Sequence, residues 1–208
     1  CDMSVTTRRM QDLSVEDHTI TVPLVWGDPV DGRTIDVCAA VVARTGGETL
    51  PYLVFLQGGP GHEAPRPFHA PTAPSWLDAA LEHYRVVLLD QRGTGRSTPF
   101  GDADLARGTA AVVEYITHLR ADAIVRDCEA MREHLGAAAW SVLGQSFGGF
   151  TALSYLSTDA ASLDQVFFTG GLSAVGRHPD DVYALTYDKM RIESERYYRR
   201  FPTHRDAM

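Results

Sequence analysis

The 208 residues carry a net charge of −8 with 44% hydrophobic and 22% charged residues, the profile of one globular domain, or of a domain with an unfinished appendage. Nearly all the cations are Arg scattered among acids, so a clustered basic surface for nucleic acid or for an anionic membrane is not expected. No apolar run approaches the ~18 residues of a membrane span, and the opening CDMSVTTRRMQDLSVEDHT lacks the apolar core of a signal peptide, so a cytoplasmic protein is expected.

In chain order, HTITVPLVW (18–26) and TIDVCAAVVAR (34–44) are alternating or β-branched and are separated by the turn-forming GDPVDGR. They predict an antiparallel opening hairpin. YLVFLQ (52–57), YRVVLLD (84–90), AWSVLG (139–144) and QVFFTGG (165–171) follow. These are short apolar runs of the kind buried on both faces of a parallel sheet. Helical segments fall between them, clearest in RADAIVRDCEAMREHLG, where Ile124, Cys128, Met131 and Leu135 recur at helical spacing before Gly136. Strands alternating with helices predict an α/β fold with right-handed crossovers. From Asp180 onward the chain is charged, rich in Tyr and Arg, and predicted helical to about Arg200. It reads either as a solvated helix or as the first helix of a cap over an active site. Cys1, Cys38 and Cys128 have no metal-ligand spacing, so reduced thiols and no metal are expected.

The chemistry concentrates in three places. Gly144-Gln145-Ser146-Phe147-Gly148 matches GxSxG between an apolar strand and a helical segment. In this nucleophile elbow a serine on a tight strand-to-helix turn points outward. Composition alone yields roughly 0.08 chance matches in a chain of this length, and the strand–turn–helix setting narrows that further. A serine attacking a carbonyl needs donors for the developing oxyanion. One is expected from the backbone N–H of Phe147. The other is expected from Gly59 in the loop Gly58-Gly59-Pro60-Gly61, where glycine permits close approach and proline stiffens the chain. The third place is DQRGTGRS (90–97). Its GTGRST fails GxGxxG at Thr98 and there is no GxxxxGK, so it reads as a structural loop in which Asp90 and Arg92 pair and pin backbone.

With these pieces in this order the chain resembles the prolyl aminopeptidases (proline iminopeptidases), serine peptidases of the α/β-hydrolase fold, in the larger-subunit branch. The match rests on GGPG at 58–61, DQRGxGxS at 90–97 and GxSxGG at 144–149, with TGGL…GRHPDDVY…ERYYRR behind them. The resemblance implies release of N-terminal proline from small peptides through an acyl-enzyme on Ser146, without a cofactor. Gly58, Pro60, Gly61, Asp90, Arg92, Gly144 and Gly148 would support the site. It also implies a cap whose carboxylates hold the substrate's free amine, for which Glu193 and Glu195 are the candidates here.

The same resemblance places the catalytic Asp and His after later strands of a mostly parallel sheet. Neither His178 nor His204 follows a predicted sheet strand, and Asp159 and Asp164 read as helix-end or loop residues. The chain is therefore expected to be the N-terminal part of such an enzyme, inactive alone, with 1–176 belonging to the catalytic domain and 177–208 opening a helical cap. Oligomeric state is not legible. An esterase or other acyl hydrolase of the same fold, or a catalytically silent module, are the alternatives.

Overall fold

The computed structural model describes residues 5–10, 12–66, 76–171 and 176–207. The chain divides into two compact units, Cys1–Leu172 and Ser173–Met208, the second beginning slightly earlier than the residue 177 expected from the sequence.

The first unit is built on a seven-stranded sheet. β1 (Val5–Met10), β2 (Leu13–Pro23) and β3 (Thr34–Arg44) form an antiparallel run. β3 continues antiparallel onto β5 (Arg85–Leu89). From there β4 (Tyr52–Leu56), β6 (Trp140–Gln145) and β7 (Leu163–Thr169) extend the sheet in parallel, in the spatial order β5-β4-β6-β7. The helices of this unit are α1 (Trp76–Ala80), α2 (Asp102–Leu105), α3 (Thr109–Ile116), α4 (Ala121–His134) and α5 (Phe147–Thr158).

The apolar runs are continuous because both sheet faces are covered. Val54, Leu56, Val87 and Leu89 join one core with Ile124, Cys128 and Met131 of α4 and Tyr155 of α5. Their neighbours Phe55, Val86 and Leu88 point the other way, into a second core with Leu77 and Leu81. Alternation at period two thus buries every residue of β4 after Tyr52 and of β5 after Arg85. The chain leaves β4 toward β5 on one side and later returns beside β4 as β6. The C-terminal ends of these parallel strands therefore share one edge at a reversal of strand order, where α/β sheets bind ligands.

β1 was not expected, and β2 begins five residues before the predicted His18. β2 buries Leu13 and Val15 on one face and Ile20 and Val22 on the other, so no single alternation runs through it. The charged Glu16-Asp17 stretch between them breaks the apolar pattern. β1, largely VTTRRM, pairs only with β2 at the sheet margin and carries no apolar stripe. Asp164, expected in a loop or at a helix end, lies in β7. Asp159 is the C-cap of α5, as a helix-end residue. Cys38 and Cys128 are free and buried, and Cys1 lies outside the described residues.

The second unit holds α6 (Pro179–Arg200) followed by a 3-10 turn, Pro202–Ala207. Its N-terminus has a built cap: Nδ1 of His178 accepts from the N–H of Asp180 at 3.3 Å, Pro179 stands at the first helical positions, and Asp180 and Asp181 follow. Arg199 and Arg200 occupy the last turn, where cations complement the helix dipole. Among the described residues no helix is long and apolar enough to cross a membrane.

Candidate active site

Ser146 stands at the junction of β6 and α5, exposed, with φ 53 and ψ −117. A non-glycine residue at positive φ is held there only by its surroundings, at a cost of about 1–3 kcal/mol. Those surroundings are largely glycine. A β-carbon on Gly144 would overlap the carbonyl oxygen of Gly148, and one on Gly148 would overlap the carbonyl oxygen of Leu56 at the end of β4. The first turn of α5 can therefore fold back over β6 and settle against β4 only because both positions lack side chains. The carbonyl of Ser146 accepts from the N–H groups of Gly149 at 2.9 Å and Phe150 at 3.2 Å, which starts the helix.

The loop after β4 comes directly alongside. A β-carbon on Gly58 would lie 2.9 Å from Cβ of Ser146 and 3.6 Å from its Oγ. The N–H groups of Gly59 and Phe147 donate to no described residue, and both belong to segments that flank Ser146. Gly59, Pro60 and Gly61 are exposed, with Gly59 at φ +121 and Gly61 at φ +102. Ser146 thus stands at the N-terminus of a 12-residue helix with Gly58 of the GGPG loop packed beside it, and the N–H groups of Gly59 and Phe147 meet no acceptor among the described residues. Among the described residues no hydrogen bond reaches Oγ of Ser146. No group of three or more His, Cys, Asp or Glu that could hold a metal occurs among them either.

Asp90 and Arg92 do not pair with each other, contrary to expectation. Both lie beyond the end of β5, and each has a longer-range partner. The fully buried Asp90 carboxylate is bound by Arg66 and accepts from the N–H groups of Ala64 and Arg96, both at 3.0 Å. It thereby ties the far end of the GGPG loop to the DQRGTGRS loop. Gly95 allows this, since a β-carbon there would sit 2.6 Å from the Asp90 carboxyl carbon. Arg92, equally buried, donates to both oxygens of Asp127 on α4 at 2.6 Å and to the carbonyls of Leu24 and His118 at 2.9 and 2.7 Å. Burial pushes the Asp127 carboxyl up, while the guanidinium and the Trp26 indole N–H pull it back down.

α5 is fixed from behind by a second network. The Tyr155 hydroxyl donates to Glu129 and accepts from the Trp140 indole at 3.0 Å, and Ser162 and Arg132 also donate to Glu129, each at 2.7 Å. Burial would raise the Glu129 carboxyl, but the donors Arg132, Tyr155 and Ser162 outweigh it and hold the group below its ordinary range. Burial drives the Tyr155 hydroxyl well above the usual tyrosine value.

A family model described as the alpha/beta hydrolase fold matches residues 51–204. The chain belongs to that family. Two relatives share more with this chain than the fold. A proline iminopeptidase of Aeromonas sobria is 43% identical over 197 residues, covering 93% of this chain and 46% of the relative. A proline iminopeptidase of Aspergillus aculeatus is 40% identical over 162 residues, covering 74% and 35%. The chain therefore spans less than half the length of these relatives. Among solved structures, a cold-adapted esterase from an Arctic intertidal metagenomic library is 15% identical, with a TM-score of 0.50, covering 81% of this chain and 65% of that one, a likeness of fold alone.

Gly58, Gly144 and Gly148 lie around Ser146. Glu193 and Glu195 lie in the second unit, where Arg196 and Arg205 hold their carboxylates at 2.6 Å each. There Glu193 lines an open cleft of about 570 Å³ with Tyr197 and Phe201, whereas Glu195 does not. His178 caps α6, and Nδ1 of His204 lies 2.7 Å from the Tyr197 hydroxyl. Sequence reasoning missed Arg66 and Asp127, the partners of Asp90 and Arg92. It also missed the end of β7, where Ser146 N–H donates to the Thr169 carbonyl at 3.0 Å. The available signal was the glycine pair in QVFFTGG, which echoes the glycine-rich elbow.

Proposed function

We propose that the protein is a serine aminopeptidase that releases N-terminal proline from small peptides. The observation that carries this is Ser146, strained and exposed at the start of α5 with Gly58 of the GGPG loop packed beside it, in a chain whose similarity to a proline iminopeptidase covers 93% of its length. Ser146 Oγ attacks the carbonyl of the N-terminal proline, and the tetrahedral oxyanion accepts from the N–H groups of Phe147 and Gly59. The peptide leaves as a free amine once it takes a proton, and water then hydrolyses the prolyl ester on Ser146. The hydroxyl proton passes to a base, which in α/β-hydrolases is a histidine oriented by a carboxylate, both after the serine in chain order.

Gly58, Gly144 and Gly148 let the oxyanion loop and the elbow approach each other, Pro60 and Gly61 shape the loop, and Asp90 and Arg92 anchor the loops behind it. The second unit serves as the start of a helical cap, in which Glu193 is the stronger candidate for the substrate's ammonium because it faces a cleft. Its pair with Arg196 is exposed, of the kind that contributes little and that a second cation can replace.

Turnover of an L-proline arylamide by the full-length protein, set beside the N-acetylated arylamide and a simple acetate ester, tests this assignment. Cleavage of the free-amine substrate with the other two slower by at least ~10²-fold is expected. Preference for the acetate ester would make the protein an esterase.

A further inference from the structure

We propose that Gly171 is a positioning residue for the Ser146 nucleophile, a role that rests on the assignment of Ser146. β7 ends at Thr169 and is followed by two glycines at positive φ, Gly170 at +71 and Gly171 at +75. Their surroundings differ. A β-carbon on Gly170 would meet nothing within 4 Å. One on Gly171 would overlap the carbonyl oxygen of Ser146 and lie 2.8 Å from its Cα. The backbone at 171 is thus flush against the peptide of the nucleophile.

That contact completes an enclosure. Gly58 meets the side chain of Ser146, the Thr169 carbonyl takes its N–H, and Gly171 backs its carbonyl. The φ and ψ of Ser146 persist only if such neighbours over-determine them. A side chain at 171 forces one of two changes. Either the Ser146 peptide moves and carries Oγ away from its aim, or residue 171 lifts and the turn relaxes. Both disturb the reacting geometry while leaving substrate contacts elsewhere in place, and misplacement by about 1 Å can cost on the order of 10²-fold in rate.

The paired variants Gly170→Ala and Gly171→Ala separate backbone strain from this contact, because both place alanine at a positive φ and only the second meets Ser146. In the full-length protein, three readouts apply: the rate of covalent labelling by a fluorophosphonate probe, kcat and KM for an L-proline arylamide, and the melting temperature. Both variants are expected to melt a few degrees lower. Gly170→Ala keeps labelling and kcat within threefold of wild type, whereas Gly171→Ala loses at least ~10-fold in both, with KM within threefold. Equal labelling of the two variants overturns the proposal. Wild-type protein that resists labelling removes Ser146 as the nucleophile and the proposal with it, a result distinct from the first.

Should Gly171→Ala be recovered unfolded, Thr169→Val decides. It removes only the hydroxyl that donates to the Gly144 carbonyl at 3.4 Å. A threefold or greater fall in labelling rate at a native melting temperature supports positioning from the end of β7, and an unchanged rate overturns it.

Discussion

Gly58 and Ser146, 88 residues apart in the chain, leave no room for a side chain between them: a β-carbon added to Gly58 would stand 2.9 Å from Cβ of Ser146 and 3.0 Å from the Gln145 carbonyl oxygen. The GGPG loop and Ser146 are therefore positioned against each other directly. Gly58→Ala should push them apart by a few tenths of an ångström or more. The expected outcome is a ~10- to 10²-fold loss of kcat on an L-proline arylamide with a modest fall in melting temperature. Kinetics equal to wild type would mean that the loop tolerates displacement and that its donor lies elsewhere.

The strain at Ser146 separates two inactive variants. Ser146→Ala and Ser146→Gly both remove the hydroxyl, and each should lower turnover by several orders of magnitude. Only glycine relieves the positive φ of 53. Ser146→Gly is expected to be more stable than Ser146→Ala by about 1 kcal/mol in urea unfolding. Equal stabilities would show that the turn is not strained in solution.

Asp90 holds Arg66, the Ala64 N–H and the Arg96 N–H from a fully buried position. Asp90→Asn leaves the arginines without their carboxylate and should destabilise the first unit by roughly 3 kcal/mol, the scale for breaking a buried pair from one side. Because the same carboxylate tethers the GGPG loop, kcat should fall more than KM rises. A variant with native unfolding free energy would contradict this.

The fold was legible where burial on two faces makes a strand continuously apolar, as in β4, β5 and β6, and where a helix shows one apolar stripe, as in α4. It was not legible at β1, whose residues pack through backbone pairing to β2, nor at the start of β2, whose inward residues change face along its length. In the site, GxSxG and GGPG are local patterns and could be read directly. The partners of Asp90 and Arg92 could not, because Arg66 and Asp127 lie 24 and 35 residues away on other segments and nothing in their neighbourhood marks them. Gly171 presents the same difficulty: its reason for being glycine is a contact with Ser146 that exists only in the folded sheet.

Acid sensitivity should begin at a histidine pair remote from the elbow. Nδ1 of His18 on β2 lies 3.1 Å from Nε2 of His134 on α4, with Glu16 3.6 Å from the other ring nitrogen and Asp17 nearby. Burial, followed by His134, lowers the His18 value below its ordinary 6.5, and the acidic neighbours only partly offset this. The unfolded chain therefore takes up the proton first, so stability falls as pH drops through about 6.5. Glu129, held below its ordinary 4.5, adds a loss only as pH falls beneath that value. Between pH 7 and 5, His18→Gln should flatten the dependence of the unfolding midpoint. A variant curve parallel to wild type would assign the acid sensitivity to other groups.

The most direct measurement is to inactivate the full-length protein with a fluorophosphonate and locate the adduct by tandem mass spectrometry while following L-proline arylamide turnover. Modification of Ser146 alone, rising in step with the loss of turnover to one adduct per chain, is expected. Complete inactivation with the adduct on another residue, or a fully modified Ser146 in protein that still releases proline, would contradict the assignment of Ser146 as the nucleophile.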